Sequence, residues 1–224
     1  MDPLAGSQWS AAGTVAGFAR SAPNAVLMDF AAAELRRAPA GRAIDVGCGA
    51  GRNAVPLARA GWTVIGTDLS WPMLAAAAAR AGEEGLARRF QVLLAPMEQI
   101  PAADRSVDLV IAHGIWNLAR SSAQFRQAAC EAARVAKPGA GLFIFTFSRK
   151  TFTPDAQPVA GEPFVFTQFS GEPQVFLDRE QLVAEMREAG FALDDRVPFR
   201  EYDRPNQMAG TGPVIYEAAF RRTS

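Results

Sequence analysis

Short, continuous apolar runs alternate with longer helix-favouring segments over the first 150 residues of the chain. The apolar runs have the length of buried strands and occur at residues 42–46, 63–68, 90–95, 107–112 and 142–147. Helix-favouring segments follow three of them, at 52–60, 70–81 and 122–135. Strands that are apolar throughout are typical of a parallel sheet covered on both faces by helices. The pattern therefore predicts an α/β fold with a doubly wound sheet.

The segment before the first strand also has helical character. Residues 1–23 are rich in small residues and favour one short helix at 9–20. Asn24 is a good N-cap residue type and stands directly before an amphipathic stretch that ends near Arg37. We therefore predict two helices ahead of the sheet.

The pattern changes after Ser148. Residues 151–173 are rich in Pro, Phe and Gly without a helical period, which predicts a loop or a hairpin insertion. A helix is predicted at 178–189, ended by Gly190. Two strand-like runs, 193–202 and 214–220, flank a turn-rich stretch that contains Pro205, Asn206, Gly210, Thr211 and Gly212.

Composition narrows the classes of partner. The 224 residues are 49% hydrophobic and 21% charged, and Lys+Arg and Asp+Glu are both 23, so the formal net charge is zero. A balanced chain lacks the general attraction to phosphate backbones on which nucleic-acid binders depend. We therefore expect a small-molecule partner rather than a nucleic acid.

Metal-binding and disulfide chemistry have few residues to draw on. Cys48 and Cys130 are the only cysteines and His113 is the only histidine, so neither a disulfide framework nor a metal site is expected. The N-terminus has no secretory signal pattern, and no segment approaches the length of a membrane span. The sequence predicts a cytoplasmic protein without a membrane partner.

The stretch Asp45-Val46-Gly47-Cys48-Gly49-Ala50-Gly51 carries the clearest chemistry. Glycines after a strand let the backbone turn sharply and let a ligand lie against bare main chain. The helix that follows directs its unpaired N–H groups into the same space. Asp68 ends the second strand, where a carboxylate accepts hydrogen bonds from a ribose diol or caps the next helix. The combination predicts a nucleoside site, whereas a glycine turn without a ligand is the plainer alternative.

The glycine spacing separates two nucleoside classes. The dinucleotide fingerprint G-x-G-x-x-G/A requires a small residue at Arg52, whereas this chain has G-x-G-x-G preceded by Asp45. The motif resembles motif I of the class I S-adenosylmethionine-dependent methyltransferases, specifically the small-molecule group that includes the ubiquinone/menaquinone-biosynthesis type (methyltransferase type 11). In that family the acid before the glycines lies near the positive methionine amino group. A dinucleotide pyrophosphate would instead be repelled by Asp45.

Further motifs extend the resemblance from about residue 42 to residue 147. Asp68 is similar to the family's ribose-binding acid, and Met73 to the residue near the adenine. Residues 96–101 resemble the segment that passes the adenine edge, and 135–139 the turn before strand five. The resemblance implies a cofactor site made of Asp45, Gly47, Cys48, Gly49, Gly51, Asn53, Asp68, Leu69, Met73, Pro96, Met97, Glu98 and His113.

Two positions depart from the family pattern. Pro96 stands where many relatives have an Asp for the adenine amino group, so that contact is either missing or replaced by Glu98 or a backbone carbonyl, while the Met97 N–H remains for a ring nitrogen. Trp116-Asn117 stand where many relatives have paired histidines.

His113 comes earlier, near the end of the fourth strand. It is interpreted as a wall residue beside the methionine portion, with a general base for the acceptor as the second interpretation. Tyr202 and Asp203 are further residues that could reach an acceptor, although strand-end structure is their usual role. Cys48 is interpreted as a small residue of the turn.

The resemblance implies one doubly wound, Rossmann-like domain over residues 1–224, with a seven-stranded, mostly parallel sheet whose last strand is antiparallel. An N-terminal helical lid of about residues 1–38 and an insertion of about 150–175 are expected to close over the site. Phe152, Phe164, Phe166 and Phe169 in that insertion line either an apolar acceptor pocket or a core.

The predicted reaction is methyl transfer from S-adenosylmethionine to an O, N, S or C atom of a small molecule. The alternatives are a regulatory protein that binds the same cofactor without transferring methyl groups, and an NAD-dependent oxidoreductase. Titration with each cofactor would distinguish these classes.

Overall fold

An eight-stranded sheet, in which five neighbouring strands are parallel, organises the chain. The computed structural model describes residues 2–203 and 212–224. The strands are β1 (Arg42–Val46), β2 (Thr63–Asp68), β3 (Phe90–Leu94), β4 (Val107–His113), β5 (Ala136–Phe147), β6 (Val165–Phe166), β7 (Gln174–Val175), β8 (Phe191–Leu193), β9 (Arg200–Asp203) and β10 (Val214–Arg222). The helices are α1 (Ala12–Arg20), α2 (Ala25–Arg37), α3 (Ala54–Arg59), α4 (Trp71–Glu83), α5 (Ser122–Val135) and α6 (Arg179–Glu188).

The strand order reverses at the centre of the sheet. The order is β3-β2-β1-β4-β5-β10-β8, and β9 also pairs with β10. Strands β1 to β5 pair in parallel, whereas β10 is antiparallel to β5. In sheets of this kind ligands bind outside the carboxyl ends of the strands, where the order reverses. Here that point is the space above β1 and β4.

Two apolar layers cover the two faces of the sheet. Leu27 and Phe30 of α2 and Val55 of α3 pack on the face that contains Leu109 and Phe143. The opposite face carries Ile44, Val110 and Ile144, and it is covered by residues of α5 and α6 that include Phe125, Leu182 and Met186. Helices therefore flank both faces, which confirms the doubly wound α/β prediction.

Local sequence signals fix where several helices begin. The Asn24 side chain accepts a hydrogen bond from the Leu27 N–H at 3.0 Å, and the Ser70 hydroxyl accepts one from the Met73 N–H at 3.4 Å. Asp178 and Gln181 form a reciprocal capping box at the start of α6. Each cap satisfies an N–H group that the first helical turn leaves without an intrahelical partner.

Two predicted details differ in the structure. The run 193–202 is not one strand: β8 and β9 share the outer edge of β10, so the seventh position of the predicted seven-stranded sheet is filled by two short strands. The residues 137–139, predicted as a turn, belong to β5, which begins at Ala136. The predicted turn residues Pro205, Asn206, Gly210 and Thr211 lie outside the described residues.

The insertion contains a two-stranded hairpin, as one of the two predicted alternatives had it. Strands β6 and β7 pair antiparallel, and Phe152, Phe166 and Phe176 pack in tilted and edge-on contacts with ring centroids 4.5 to 6.1 Å apart. Phe164 and Phe166 are buried, whereas Phe169 is 42% exposed. Most of these rings therefore form a small core that fastens the insertion to the end of β5.

None of the helices in the described ranges 2–203 and 212–224 has both the length and the apolar character that crossing a bilayer needs.

Candidate cofactor site

The glycine turn connects β1 to α3 at the carboxyl edge of the sheet. Gly47 and Gly49 have φ values of +69° and +52°, a left-handed conformation that residues with a Cβ adopt only at a cost. A Cβ on Gly47 would also lie 2.6 Å from Cγ1 of Ile115. The Cys48 N–H donates to the Thr67 carbonyl at 2.8 Å, which holds the turn against the end of β2. The main chain of the turn therefore carries no side chains at its glycines and is held in position.

Asp45 is a buried acid directly below this turn. Its side chain is 1% exposed, and its Oδ2 has no hydrogen-bond partner within the described part of the chain. Burial and, to a smaller extent, the nearby Asp68 charge raise the pKa of Asp45, Arg52 opposes both effects, and the resulting pKa is about 7. A buried carboxylate oxygen without a partner is costly unless a donor or a cation occupies the adjacent space. The position of Asp45 fits a positively charged group of a ligand.

Asp68 joins the second strand to the turn. Its Oδ2 accepts a hydrogen bond from the Gly49 N–H at 2.9 Å, and its Oδ1 accepts one from the Ser70 N–H at 2.8 Å. Burial raises the pKa of Asp68, and the backbone hydrogen bonds oppose that effect. A carboxylate offers about four acceptor sites, so part of this capacity remains for a ligand. Asp68 thus supports the turn and retains capacity for a diol.

The N-terminal segment lies over the same turn. A Cβ on Gly49 would meet Phe18 of α1 at 3.5 Å and the sulfur of Met73 at 3.8 Å. The hydroxyls of Ser10 and Ser70 are 3.0 Å apart, and Asp2 accepts a hydrogen bond from the Trp71 N–H at 3.1 Å. These contacts bring α1 and the preceding residues to the start of α4, beside the glycine turn.

The residues predicted to lie beside the adenine are on the segment after β3, and their surroundings differ. The Ala95 N–H donates to the Asp68 carbonyl at 3.2 Å, which brings Pro96 close to the end of β2. Met97 is buried. The Glu98 carboxylate accepts a hydrogen bond from Gln124 of α5 at 3.1 Å, so it faces that helix. The contact of Glu98 with the adenine amino group therefore stays a prediction.

The remaining predicted residues lie within or beside the turn. Gly51 has a φ of +74°, and the Asn53 Oδ1 accepts a hydrogen bond from the Asn24 N–H at 3.0 Å. Leu69 is half-buried between β2 and α4. Burial raises the pKa of the Cys48 thiol, so this side chain stays protonated and acts as a small packing residue.

His113 ends β4 at the carboxyl edge of the sheet. Its ring stacks on Phe145 with centroids 4.3 Å apart, and its Nε2 is 3.2 Å from Nδ2 of Asn24. The Asn24 Nδ2 also donates to Glu217 Oε1, which accepts a second hydrogen bond from the Tyr202 hydroxyl at 2.9 Å. The sequence reasoning missed both Asn24 and Glu217 as site residues. Glu217 carried a usable signal, because it is a charged residue inside the otherwise apolar run 214–220.

Replacing Asp45 by Asn is expected to stabilise the ligand-free protein at neutral and higher pH by up to about 4 kcal/mol. The folded-state pKa of about 7 lies above the unfolded value, so the folded protein binds the extra proton and loses stability as pH rises from about 4 to 7. The variant lacks this titration. Denaturant unfolding across this pH range measures the difference, with exposed Asp155→Asn as the matched control. Parallel pH profiles for wild type and Asp45→Asn would contradict the assignment.

Residues 44–145 match a family model described as "Methyltransferase domain". The ubiquinone/menaquinone biosynthesis C-methyltransferase UbiE of Geotalea daltonii is 35% identical over 127 residues, which cover 55% of this chain and 52% of that protein. The chain thus spans about half the length of the curated relatives it matches.

Solved structures show the same fold. A SAM-dependent methyltransferase from Methanosarcina mazei superposes with a TM-score of 0.65 at 19% identity, covering 82% of this chain and 93% of that one. The 1,6-didemethyltoxoflavin N1-methyltransferase of Burkholderia thailandensis, solved with 1,6-didemethyltoxoflavin and S-adenosylhomocysteine, gives 0.64 at 17% identity over 89% and 79% of the two chains. These neighbours confirm the Rossmann-like prediction for the sheet.

Proposed function

We propose that the chain is a class I S-adenosylmethionine-dependent methyltransferase and that it transfers the methyl group of this donor to a small-molecule acceptor. One observation carries the proposal beyond the family match. The partnerless Asp45 oxygen, the bare glycine turn and the Asp68 carboxylate lie together at the point where the strand order reverses. A cationic nucleoside matches this set of groups.

Different residues of the site bind different parts of the donor. Asp45 attracts the positively charged methionine end, and its charged form becomes favourable when that charge is close. Asp68 accepts hydrogen bonds from the ribose hydroxyls. Leu69, Met73, Pro96 and Met97 flank the adenine, and the Met97 N–H serves a ring nitrogen.

Proximity and alignment are the protein's share of the reaction. When bound, S-adenosylmethionine supplies both the electrophilic methyl carbon and its leaving group. The chain therefore needs no nucleophile of its own, and holding two reactants in line contributes up to about 7–11 kcal/mol in well-oriented systems. We propose that residues 1–38 act as a lid, with Phe18 over the turn, and that the insertion at 150–175 limits the acceptor side and excludes water.

The acceptor is proposed to be a small molecule. Relatives of this domain include a ubiquinone biosynthesis O-methyltransferase as well as the C-methyltransferase. The proposal therefore leaves open whether the methyl group is accepted by an O, N, S or C atom. The zero formal net charge favours a metabolite over a nucleic acid. The cytoplasmic location stays a prediction.

Calorimetric titration tests the proposal directly. We expect S-adenosylmethionine and S-adenosylhomocysteine to bind with micromolar dissociation constants, and NADH, the matched arm for the dinucleotide alternative, to give no heat of binding. Absence of binding by both methionine nucleosides at millimolar concentration would contradict the proposal. A screen of metabolite extracts with isotopically labelled methyl donor then identifies the acceptor, and donor binding without any labelled product would favour the regulatory alternative.

A further inference from the structure

One side chain, Asn24, joins the N-terminal helices to the acceptor side of the site. Its Oδ1 accepts a hydrogen bond from the Leu27 N–H at 3.0 Å. Its Nδ2 donates to Glu217 Oε1 and lies 3.2 Å from Nε2 of His113. The two hydrogens of the amide nitrogen thus have two partners on two different strands.

These partners fix the orientation of the amide. Turning the Asn24 amide by half a turn would set its oxygen against the Glu217 carboxylate and its NH₂ group against the Leu27 N–H. Glu217 is 4% exposed, so water cannot readily relieve the repulsion between two acceptors there. Both existing hydrogen bonds would be lost at once, and one of them involves a charged group. The Asn24 nitrogen is therefore the atom that faces His113.

The orientation of Asn24 determines the state of the His113 ring. An amide nitrogen only donates, so the ring nitrogen at 3.2 Å must present its lone pair. In a neutral imidazole whose Nε2 accepts, the proton is on Nδ1. The stack on Phe145, with planes 16° apart, holds the ring in this orientation.

We propose that Asn24 is a positioning residue that holds His113 as the neutral Nδ1–H tautomer. The Nε2 lone pair is then engaged by Asn24 and does not take a proton from an acceptor. Of the two interpretations of His113, this favours the wall residue over the general base. The inference rests on the proposed function only in placing this wall beside a methyl acceptor.

The same residue links this wall to the cofactor turn. The Asn24 N–H donates to Asn53 Oδ1 at 3.0 Å, and Ile115, two residues after His113, occupies the space beside Gly47. A single capping residue thus ties α2, the turn, the end of β4 and β10 together. The fold therefore sets which nitrogen of the His113 ring carries the proton, before any ligand binds.

Nitrogen-15 NMR of the imidazole tests the proposal, because His113 is the only histidine in the sequence and untagged protein gives one set of ring signals. We expect a pyrrole-type shift for Nδ1 and a pyridine-type shift for Nε2 in the ligand-free wild type at neutral pH. A protonated Nε2, in either the neutral or the cationic ring, would overturn the proposal. The measurement requires neither donor nor acceptor, so its failure is distinct from failure of the proposed methyl transfer.

Two Asn24 variants separate positioning from mere helix capping. Asn24→Asp keeps the size and the capping oxygen but replaces the donor with an acceptor, so we expect the proton on Nε2. Asn24→Ser keeps a capping hydroxyl and removes the contact, so we expect averaged ring shifts. Glu217→Gln is the matched control, because the Leu27 N–H still orients Asn24 and the wild-type tautomer should persist. Wild-type ring shifts in a folded Asn24→Asp protein would overturn the assignment.

Discussion

Asp68→Ala is expected to weaken the binding of S-adenosylmethionine by at least about 100-fold, since two hydrogen bonds to a charged acceptor are removed at about 1.5–3 kcal/mol each. The Asp68 carboxylate already accepts hydrogen bonds from the Gly49 and Ser70 N–H groups, so its remaining acceptor sites are held in place. Calorimetry measures the loss. The exposed acid Asp155 provides the control variant, Asp155→Ala, which should bind as wild type does.

The variant also loses support for the glycine turn, and a ligand analogue separates this effect from the ribose contact. S-adenosylhomocysteine and its 2′-deoxyribose analogue are titrated into wild type and Asp68→Ala, which completes a double-mutant cycle. We expect the analogue to bind less tightly than the parent compound in wild type and equally tightly in the variant. Equal penalties for the analogue in both proteins would show that Asp68 only supports the turn.

The second large effect is expected at Arg221, whose replacement by Met should lower the free energy of unfolding by about 3–5 kcal/mol. Arg221 of β10 donates to both oxygens of Glu34 at 2.6 and 2.8 Å and also to Asp194. Glu34 is 5% exposed and Asp194 6% exposed. Removing the shared cation mainly affects Glu34, which is left with contacts from Arg37 and Arg196 at 3.6 Å. Asp194 keeps its two hydrogen bonds from Arg196.

Denaturant unfolding checks this prediction against a matched ion pair. Arg126 and Glu185 form an equally short pair at 2.7 Å, but the Arg126 side chain is 52% exposed. Arg126→Met should therefore cost at most about 1 kcal/mol. A double variant, Arg221→Met with Glu34→Gln, should recover part of the loss, because the carboxylate charge that lost its close partner is gone. Equal losses for Arg221→Met and Arg126→Met would contradict the role assigned to burial.

The same cluster predicts how acid acts on the fold. The guanidinium of Arg196, followed by that of Arg221, holds the pKa of Asp194 well below its usual range. The stability gained from this carboxylate is therefore present above the unfolded pKa of about 3.9 and is lost as pH falls towards the folded value. Asp45 acts in the opposite direction, because its raised pKa costs stability as pH rises towards 7.

The elements of the sheet could be predicted because their signals are local. Continuous apolar runs gave four strand positions to within a residue, while β5 begins before the run that predicted it. Capping residues such as Asn24 and Ser70 marked helix starts. The C-terminal edge was harder, since a run of mixed residues at 193–202 has no strict alternation and is divided between β8 and β9 by pairing along one long partner.

The glycine turn shows the same division between local and tertiary information. Its position and its glycines follow from a few consecutive residues, and those residues alone indicated a nucleoside site. Asp45, Asp68 and the later motifs were needed to indicate S-adenosylmethionine and the methyltransferase family. That Asp45 keeps an oxygen without a partner, and that burial raises its pKa, depends on what surrounds it in space. Spacing along the chain cannot supply that information.

The sequence by itself thus determined the fold class, the position of the glycine turn and most helix starts, because these depend on periodicity, glycine conformation and contacts within a few residues. The tertiary structure alone brought Asn24 to His113 and Glu217, which lie 89 and 193 residues away along the chain. It also turned Glu98 towards α5 and set most of the phenylalanines of the insertion into a core. Side-chain orientation and burial arise from packing between distant elements, so they became visible only once those elements were assembled.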